Sequence, residues 1–407
     1  SLHRRRFRPG AANRGGRDMN VLVISEPGVD GVFRYVDTLC HFLWRQGIGV
    51  HLAYSDRRAG EQLLELVEEV KARRGRTLNL RTANRPALAD GRAMSELLAL
   101  ARDVRPDVIH THSSKAGFLG RMLRVCGVRS VQCYHPHAYV GMRPHPGRFD
   151  TVYNLVEGVM GRIADTIVVS ADEAAFARNR LRIPPSRLHL IPNGVDLGAF
   201  SPASASQKRK LREQFGLPVN TMILGFIGRS SEQKDPVTLY RAFAKAAAMR
   251  PIALLHVGKG ELDGVLEGIV HEIGLGSSVF RQPFTSMPAD FYRAVDGFIL
   301  TSRYEGFSLA ALEALAANLP LILSDAPGNR DLFAQPLSHS WSAAPGDIDG
   351  FADRIVSWHD RIRDGTEPIN HRQVAREQFD VHARCGAVLR LYRKLLGTRP
   401  GVGFFNR

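Results

Sequence analysis

Cysteine is scarce in this chain and never closely spaced, because the four copies in 407 residues are Cys40, Cys126, Cys133 and Cys385. This spacing excludes a disulfide framework and a zinc site built from C-x-x-C pairs, so we expect reduced thiols buried in the core. No apolar run approaches the roughly 18 residues that a membrane-spanning helix needs, and no secretory leader pattern is visible. These absences predict a cytoplasmic protein.

Acidic residues are also in deficit, with 40 Asp and Glu against 55 Lys and Arg, a formal net charge of +15. The first 17 residues hold six of the arginines and no acidic residue. We interpret residues 1–18 as a basic, disordered N-terminal extension, with docking on anionic lipid or nucleic acid as the alternative. The positive balance favours anionic partners such as nucleotides, lipid headgroups or nucleic acid.

From Asn20 onward, short β-branched segments alternate with amphipathic ones, as in NVLVIS followed by FRYVDTLCHFLWRQ. This rhythm predicts the α/β class, with two doubly wound, Rossmann-like parallel sheets facing across a cleft. Pro, Gly, Ser and Asn cluster in IPNGVDLGAFSPASASQKRK, which indicates a linker near residue 200. We therefore predict one domain at 19–200, a second at 201–380, and a terminal helix and tail at 381–407. A nucleotide is expected at the carboxyl ends of the strands, in the cleft.

The segment SRYEGFSLAALEALAANLP places Glu305 in a turn after the predicted strand GFILTS, and Glu313 inside the helix that follows. Gly306 allows a ligand to approach the backbone, and the first N–H groups of the helix, at Ser308 and Leu309, can bind phosphate oxygens. A carboxylate at Glu313 can accept hydrogen bonds from two vicinal hydroxyls of a ribose. A surface helix with two solvated glutamates is the alternative for this segment taken alone.

A second loop, GFIGRSSEQKDP, follows another predicted strand and carries Arg229 and Lys234 ahead of a helix that begins near Pro236. Two cations at a strand-to-helix turn can neutralise a diphosphate, particularly one whose charge increases as a bond breaks. For these two residues alone, solvated side chains in a polar loop are the alternative.

Four histidines form two H-x-H pairs at the ends of predicted strands, His110 with His112 and His135 with His137. Alternate residues of a strand share a face, so each pair can in principle chelate zinc. A metal-dependent hydrolase is thus one hypothesis, although no acidic ligand lies nearby in the sequence. A place in the core is the commoner role for any single histidine.

Together these segments resemble the retaining glycosyltransferases of family four (group 1), which have the two-domain GT-B fold, and in particular bacterial enzymes of exopolysaccharide and capsule synthesis. The E-x7-E element of that family is matched by Glu305 and Glu313. Its phosphate-binding Arg and Lys are matched by Arg229 and Lys234. The resemblance extends from about Asn20 to about Leu396.

The resemblance implies a role for each matched residue. Glu313 would bind the ribose of a sugar nucleotide, and Glu305 would contact hydroxyls of the transferred sugar. Arg229 and Lys234 would stabilise the departing diphosphate in place of a metal ion, so neither a metal nor a cofactor is implied. By the same resemblance, His137 would contact the donor sugar or the reacting centre. The rest of the donor site would be formed by Gly306, Phe307, Ser308 and Leu309.

Two further segments are interpreted through the resemblance. Gly28 and Gly31, in the turn SEPGVDGVFRY, would let the backbone approach the diphosphate, although many relatives have two adjacent glycines where this chain has Asp30-Gly31. A plain strand-to-helix turn is the alternative. The basic amphipathic segment RCGAVLRLYRKLL would cross back onto the N-terminal domain, or would otherwise lie on a membrane.

The resemblance implies a metal-independent, retaining hexosyltransferase that moves a sugar from a UDP- or GDP-sugar to an acceptor hydroxyl on a polyprenyl-linked or growing saccharide. Contact with an anionic inner membrane face is expected from basic residues of the first domain that include Arg121, Arg124 and Arg129. No nucleic-acid partner is expected, because no recognisable reading motif is present. A sugar-nucleotide epimerase with the GT-B fold is the main alternative.

Overall fold

The computed structural model describes residues 19–398 apart from 27–29, 59, 83–88, 144–146, 148, 285–286 and 366. The predicted N-terminal extension, Gly28 and residues 399–407 lie outside this part of the chain. Among the described residues, every pairing between sheet strands is parallel.

The first domain is built on a seven-stranded sheet in the order β3-β2-β1-β4-β5-β6-β7. The strands are β1 (Asn20–Ser25), β2 (Gly49–Tyr54), β3 (Thr77–Asn79), β4 (Val108–His112), β5 (Val131–His135), β6 (Asp165–Val168) and β7 (Leu188–Leu190). The helices are α1 (Asp30–Arg45), α2 (Glu61–Ala72), α3 (Ala89–Val104), α4 (Ser114–Val125), α5 (Asp150–Met160) and α6 (Ala171–Asn179). Because helices cover both faces, the central strand is apolar without alternation, and Val21 and Ile24 are both fully buried.

The second domain repeats this plan with six strands in the order β10-β9-β8-β11-β12-β13. The strands are β8 (Met222–Ile227), β9 (Ile252–Val257), β10 (Val279–Gln282), β11 (Gly297–Leu300), β12 (Leu321–Ser324) and β13 (Ser340–Ala343). The helices are α7 (Ala205–Gln214), α8 (Pro236–Ala247), α9 (Asp263–Ile273), α10 (Pro288–Ala294), α11 (Leu309–Ala316), α12 (Arg330–Phe333), α13 (Ile348–Asp364) and α14 (His371–Gln378), and α15 (Val381–Gly397) follows this domain in the chain. The prediction of two doubly wound parallel sheets is confirmed.

The strand order of each sheet reverses at one place, between β1 and β4 in the first domain and between β8 and β11 in the second. The loops that leave neighbouring strands diverge at such a point and open a crevice at the carboxyl ends of the strands. The loops that carry Lys234 and Glu305 follow β8 and β11, and the helix after β1 begins at Asp30. Strand order alone therefore places the loops of Lys234 and Glu305 at the crevice of the second sheet, and the start of α1 at the crevice of the first.

The last helix, α15, packs on the first domain although it follows the second in the chain. Val388 and Leu389 of α15 share a hydrophobic core with Val36 and Leu39 of α1. Burying side chains of this size stabilises the folded state by about 1.5–3 kcal/mol each. No helix within the described residues has the length and apolar character needed to cross a bilayer.

The expectation that all four cysteines lie in the core is wrong for one of them. Cys40, Cys133 and Cys385 are buried, whereas Cys126 is exposed. Cys126 directly follows α4, and its backbone N–H donates to the Met122 carbonyl oxygen at 2.9 Å. A residue at this position faces solvent because the helix ends at the protein surface.

Candidate active site

Glu305 lies in the loop after β11, where its carboxylate accepts two short hydrogen bonds. Its Oε1 atom is 2.6 Å from the Lys234 ammonium and 2.6 Å from the Ser302 hydroxyl. Glu305 is only 6% exposed, so the ion pair is screened weakly by water. The structure therefore brings together Lys234 and Glu305, which the sequence places 71 residues apart.

The loop between β8 and α8 is held against the loop after β11 by hydrogen bonds to its backbone carbonyl groups. Asp235 caps α8 in a left-handed conformation (φ +46°), and its carboxylate accepts from the Thr238 N–H at 3.3 Å. The Thr301 hydroxyl donates to the Asp235 carbonyl at 2.8 Å, and the Arg303 N–H donates to the Gln233 carbonyl at 2.8 Å. These contacts fix the position from which Lys234 reaches Glu305.

Arg229 lies two residues after β8, at the same crevice as Lys234. Burial raises the pKa of the nearby Tyr304 hydroxyl, whereas the positive charges of Arg143 and Arg229 act in the opposite direction. Arg229 therefore contributes positive charge beside the loop that holds Glu305.

Glu313 lies on α11, whose first turn is capped by Ser308 through a 3.3 Å hydrogen bond from the Ala311 N–H. One oxygen of Glu313 accepts from the Tyr292 hydroxyl at 2.8 Å, and the other contacts the Arg34 guanidinium of the first domain. Burial raises the pKa of the Glu313 carboxyl, and these two contacts lower it. Both oxygens are thus engaged by protein groups, and a ribose at this carboxylate would have to replace Arg34.

Two glycines allow the domains to touch at the site. A Cβ atom on Gly306 would lie 2.4 Å from the His137 carbonyl oxygen, closer than real Cβ atoms approach other atoms. A Cβ atom on Gly31 would lie 3.1 Å from the Leu309 Cδ1 atom. Gly306 is therefore the position where the second domain contacts the backbone of His137 in the first.

A cleft of about 430 Å³ opens beside the Arg34–Glu313 contact, within the size range of small-molecule sites. Residues of both domains and of the linker between them line it, and they include Thr38, Asp196 and Leu309.

His137 follows β5 in an unusual backbone conformation, with φ +59°, and φ is +134° at Ala138. Its Nε2 atom is 3.1 Å from Nδ1 of His112, and its ring stacks on His135 with centroids 3.8 Å apart. Burial lowers the pKa of His137 to about 3. The imidazole is therefore neutral near pH 7 and can act as a hydrogen-bonding group but not as a cation.

Phe307 was predicted to contact the donor, but its side chain packs in the core. It is 4% exposed, and its ring lies 5.4 Å from that of Phe379. The Phe307 carbonyl accepts from the Asn193 side-chain amide at 3.0 Å. The side chain of Phe307 is thus unavailable to a ligand in this conformation.

Three residues at the site were missed from the sequence. Arg34 and Tyr292 contact Glu313 from α1 and α10, and no local sequence pattern predicts either contact. Glu173 supports the turn after His137: burial raises its pKa to about 7, while hydrogen bonds from the Val169 and Ala138 N–H groups lower it. A sequence signal existed for Glu173, because Ser170 three residues earlier forms the S-x-x-E pattern of a helix start.

The expectation that Arg121 contributes to a membrane-facing basic patch is wrong. Arg121 is 1% exposed, forms an ion pair with Glu157 at 2.8 Å, and stacks over the Tyr134 ring with its Cζ atom 4.0 Å from the centroid. It lies on the inner face of α4, whereas Arg124 and Arg129 are exposed. The arginines that look adjacent in the sequence are therefore divided between the interior and the surface.

Comparison with known families gives two matches that together cover most of the chain. Residues 29–199 match the family described as Glycosyltransferase Family 4, and residues 207–363 match Glycosyl transferases group 1. Each match falls on one of the two parallel sheets and its helices.

Curated relatives are also similar to the chain. It is 29% identical over 280 residues to the UDP-Gal:alpha-D-GlcNAc-diphosphoundecaprenol alpha-1,3-galactosyltransferase of Escherichia coli, which covers 66% of this chain and 70% of that protein. It is 32% identical over 238 residues to the D-inositol 3-phosphate glycosyltransferase of Xylanimonas cellulosilytica, covering 55% of this chain and 57% of that protein. The chain thus spans little more than half the length of the second relative.

Solved structures share the fold. Anabaena HepE, crystallised in complex with UDP and glucose, superposes with a TM-score of 0.78 at 20% identity, covering 92% of this chain and 100% of that chain. Sucrose-phosphate synthase from Thermosynechococcus elongatus superposes with a TM-score of 0.76 at 22% identity, covering 94% of this chain and 100% of that chain. The predicted GT-B architecture is confirmed by these matches.

Proposed function

The chain belongs to the group 1 glycosyltransferases of family four, and from this premise we propose that it transfers a hexose from a nucleoside-diphosphate sugar to a saccharide hydroxyl, with retention of anomeric configuration. The proposal rests on three loops that meet at the facing crevices, namely those that carry Lys234, Glu305 and His137. Lys234 and Glu305 are 2.6 Å apart, and Gly306 contacts the backbone of His137 across the domains.

We propose that the donor is a UDP- or GDP-sugar. Support comes from HepE, which was crystallised with UDP and glucose, and from the E. coli relative, whose name specifies UDP-Gal. Glu313 would accept hydrogen bonds from the two ribose hydroxyls after Arg34 leaves it. The N–H groups at the start of α11, at Ser308 and Leu309, have no partner within the helix and would donate hydrogen bonds to phosphate oxygens. Gly31 of the first domain has no side chain, which would leave room for the diphosphate beside them.

Arg229 and Lys234 would stabilise the negative charge that develops on the diphosphate as the glycosidic bond breaks. Fixed cations in a partly dehydrated site supply this stabilisation without reorganisation, which is the role a metal ion would otherwise serve. Glu305 would accept hydrogen bonds from hydroxyls of the transferred sugar. His137, which is neutral, would hydrogen-bond the same sugar from the first domain.

Retention would follow from reaction on one face of the sugar, with the leaving phosphate accepting the proton of the attacking hydroxyl. No facing carboxylate pair is then needed, unlike in a glycosidase, where two carboxyl groups flank the bond at about 5–10 Å. Glu305 lies in the loop before α11 and is bound to Lys234, whereas Glu313 lies within α11 and is bound to Tyr292. Contact between the domains would exclude water that could otherwise hydrolyse the donor.

The test is a transfer assay with UDP- and GDP-hexoses in EDTA and N-acetylglucosamine on a short polyprenyl diphosphate as acceptor. Proton NMR is expected to show the same anomeric configuration in the product as in the donor. Inverted product would contradict retention. Conversion of the donor with no acceptor present would favour the epimerase, the second candidate with this fold.

For the acceptor we propose a lipid-linked saccharide at an anionic membrane, which the surface of α5 supports. Phe149 directly before α5, and Val152, Leu155 and Val159 within it, recur at spacings of three or four residues, and they are between 54% and 68% exposed. Arg180 and Arg182, both exposed, lie in the segment that packs on the C-terminal half of α5. An apolar stripe beside cations suits the interface of a bilayer with anionic headgroups.

Replacing Leu155 by glutamate is expected to lower binding to phosphatidylglycerol-containing vesicles by at least about tenfold, because a buried leucine contributes about 1.5–3 kcal/mol. Vesicle co-sedimentation measures the effect. The matched control is Leu64→Glu on α2, a leucine that is 52% exposed in a different part of the first domain. Equal losses in both variants, or none in Leu155→Glu, would reject α5 as the membrane-contacting surface.

A further inference from the structure

Three buried histidines meet on one face of the first sheet. His110 and His112 alternate along β4, and the parallel register sets His112 opposite His135 on β5. Alternate residues share a face, so the three imidazoles, the histidine cluster, point into the same space. One ligand nitrogen from each of His110, His112 and His135 lies within 4.8 Å of those of the other two.

The cluster holds ring nitrogens that no protein group satisfies among the described residues. All three histidines are 0% exposed. His110 Nε2, His112 Nε2 and both nitrogens of His135 are buried without a hydrogen-bond partner. Leaving a buried polar group unpaired costs about 1–3 kcal/mol. A neutral imidazole has one nitrogen with a lone pair, so each of the three rings can offer one lone pair to a missing partner at this place.

The nitrogens on the opposite sides of two rings already have partners. His110 Nδ1 is 2.6 Å from the Tyr392 hydroxyl of α15, and His112 Nδ1 is 3.1 Å from His137 Nε2. Histidine ligands of metals commonly bond through the second nitrogen to a fixed group, which sets the tautomer and orients the ring. With Nδ1 of both rings engaged, Nε2 of His110 and Nε2 of His112 are the nitrogens left for a ligand.

From this arrangement we infer that His110, His112 and His135 bind one divalent transition-metal ion, with Zn²⁺ as the representative. Three neutral imidazoles and no carboxylate favour Zn²⁺, Co²⁺ or Ni²⁺ over the oxygen-seeking Mg²⁺ and Ca²⁺. Zn–N bonds of about 2.0–2.1 Å in a tetrahedral site set the nitrogens about 3.3 Å apart, so binding would draw the three rings closer together.

This site would be separate from the diphosphate site of the proposed function. It lies within the first domain, whereas Arg229 and Lys234 belong to the second. The ion would fix the ring of His112, which in turn would orient His137 through their hydrogen bond. Metal binding can therefore be tested without donor or acceptor. If no metal binds, the proposed transfer reaction still stands, because it does not depend on the ion.

The experiment uses the full chain without a polyhistidine tag, stripped with a chelator and dialysed against Zn²⁺ or Mg²⁺. Mass spectrometry of the dialysed protein is expected to find one Zn²⁺ per chain and no bound Mg²⁺, and Co²⁺ loading is expected to give the visible absorption of a four-coordinate ion. His110→Ala and His135→Ala are each expected to lose the bound ion. The control His256→Ala removes a buried histidine whose Nδ1 is 2.8 Å from the Tyr240 hydroxyl, and it is expected to keep one Zn²⁺.

Less than stoichiometric Zn²⁺ in the wild type would overturn the proposal, as would equal binding in wild type, His110→Ala and His135→Ala. If the two variants fail to fold, the wild type still decides the question. A rise in its melting temperature with Zn²⁺ but not with Mg²⁺, together with the Co²⁺ spectrum, supports the site, and the absence of both rejects it.

Discussion

Replacing Lys234 by methionine is expected to lower kcat by about 10²- to 10³-fold, which corresponds to about 2.7–4 kcal/mol of transition-state stabilisation. Methionine keeps much of the length and apolar character of the side chain but removes its charge. The donor gains negative charge at the diphosphate only as the bond breaks, so the loss should appear mainly in kcat, with a smaller rise in the dissociation constant of the nucleotide. Steady-state kinetics and equilibrium binding together separate the two effects.

The same substitution also removes the partner of a buried carboxylate. Glu305 would keep the Ser302 hydroxyl as its remaining side-chain partner among the described residues, and breaking a buried ion pair costs about 3–5 kcal/mol. Melting temperature and circular dichroism must therefore show that the variant is folded at the assay temperature. Lys234→Arg, which restores the charge, is expected to recover part of the lost rate.

The matched control for Lys234 is Lys245→Ala in α8, the helix that follows the loop of Lys234. The Lys245 side chain is 53% exposed and pairs with Asp349, which is 78% exposed. An exposed ion pair contributes about 0–1 kcal/mol, so both kcat and stability should remain close to those of the wild type. A folded Lys234→Met protein with the same kcat as Lys245→Ala would exclude Lys234 from leaving-group stabilisation.

The central strands were predictable from the sequence because parallel strands covered on both faces are continuous apolar runs. β1 and β8 meet this description: the sequence predicts them as NVLVIS and MILGFIGR, and the structure has them as NVLVIS and MILGFI. The edge strands β7 and β13 were missed. Their sequences, LHL and SWSA, are short and half-polar, and a strand with one paired side needs no long apolar run.

Contacts within one crevice were predictable, whereas contacts between the domains were not. Lys234 and Glu305 follow strands that neighbour each other, so sheet topology alone brings them together. The Arg34 contact with Glu313 depends on how the two domains face each other, which no local pattern encodes. The prediction that Arg121 is exposed was wrong for a related reason. The spacing of arginines on a helix does not show which of them pairs with a buried carboxylate such as that of Glu157.

Removing the Glu313 carboxylate is expected to abolish tight binding of the donor nucleotide. In Glu313→Ala no acceptor remains for the two ribose hydroxyls, and such charge-assisted hydrogen bonds contribute about 1.5–3 kcal/mol each. A loss of two bonds therefore weakens binding by at least about 10²-fold. Glu313→Gln keeps an acceptor for the Tyr292 hydroxyl and so separates loss of ribose binding from damage to the core of the second domain.

The matched control is Glu267→Ala, another glutamate on a helix of the second domain. Its side chain is 73% exposed and pairs with Arg281 at 3.3 Å, outside the cleft. This variant should bind nucleotides as the wild type does. Arg34→Ala, which removes the group that occupies Glu313, is expected to retain nucleotide binding, because the ribose would displace Arg34 in any case.

The most direct test of a metal-independent donor site at Glu313 is a thermal-shift panel of UDP, GDP, ADP, dTDP and their hexose conjugates, with EDTA present. A ligand at 100 times its dissociation constant stabilises the native state by about 2.7 kcal/mol, which gives a measurable rise in melting temperature. We predict that UDP or GDP and its sugar conjugate raise the melting temperature of the wild type and of Glu267→Ala but not of Glu313→Ala or Glu313→Gln. An equal rise in all four proteins, or no rise with any nucleotide, would contradict the assignment of the donor site.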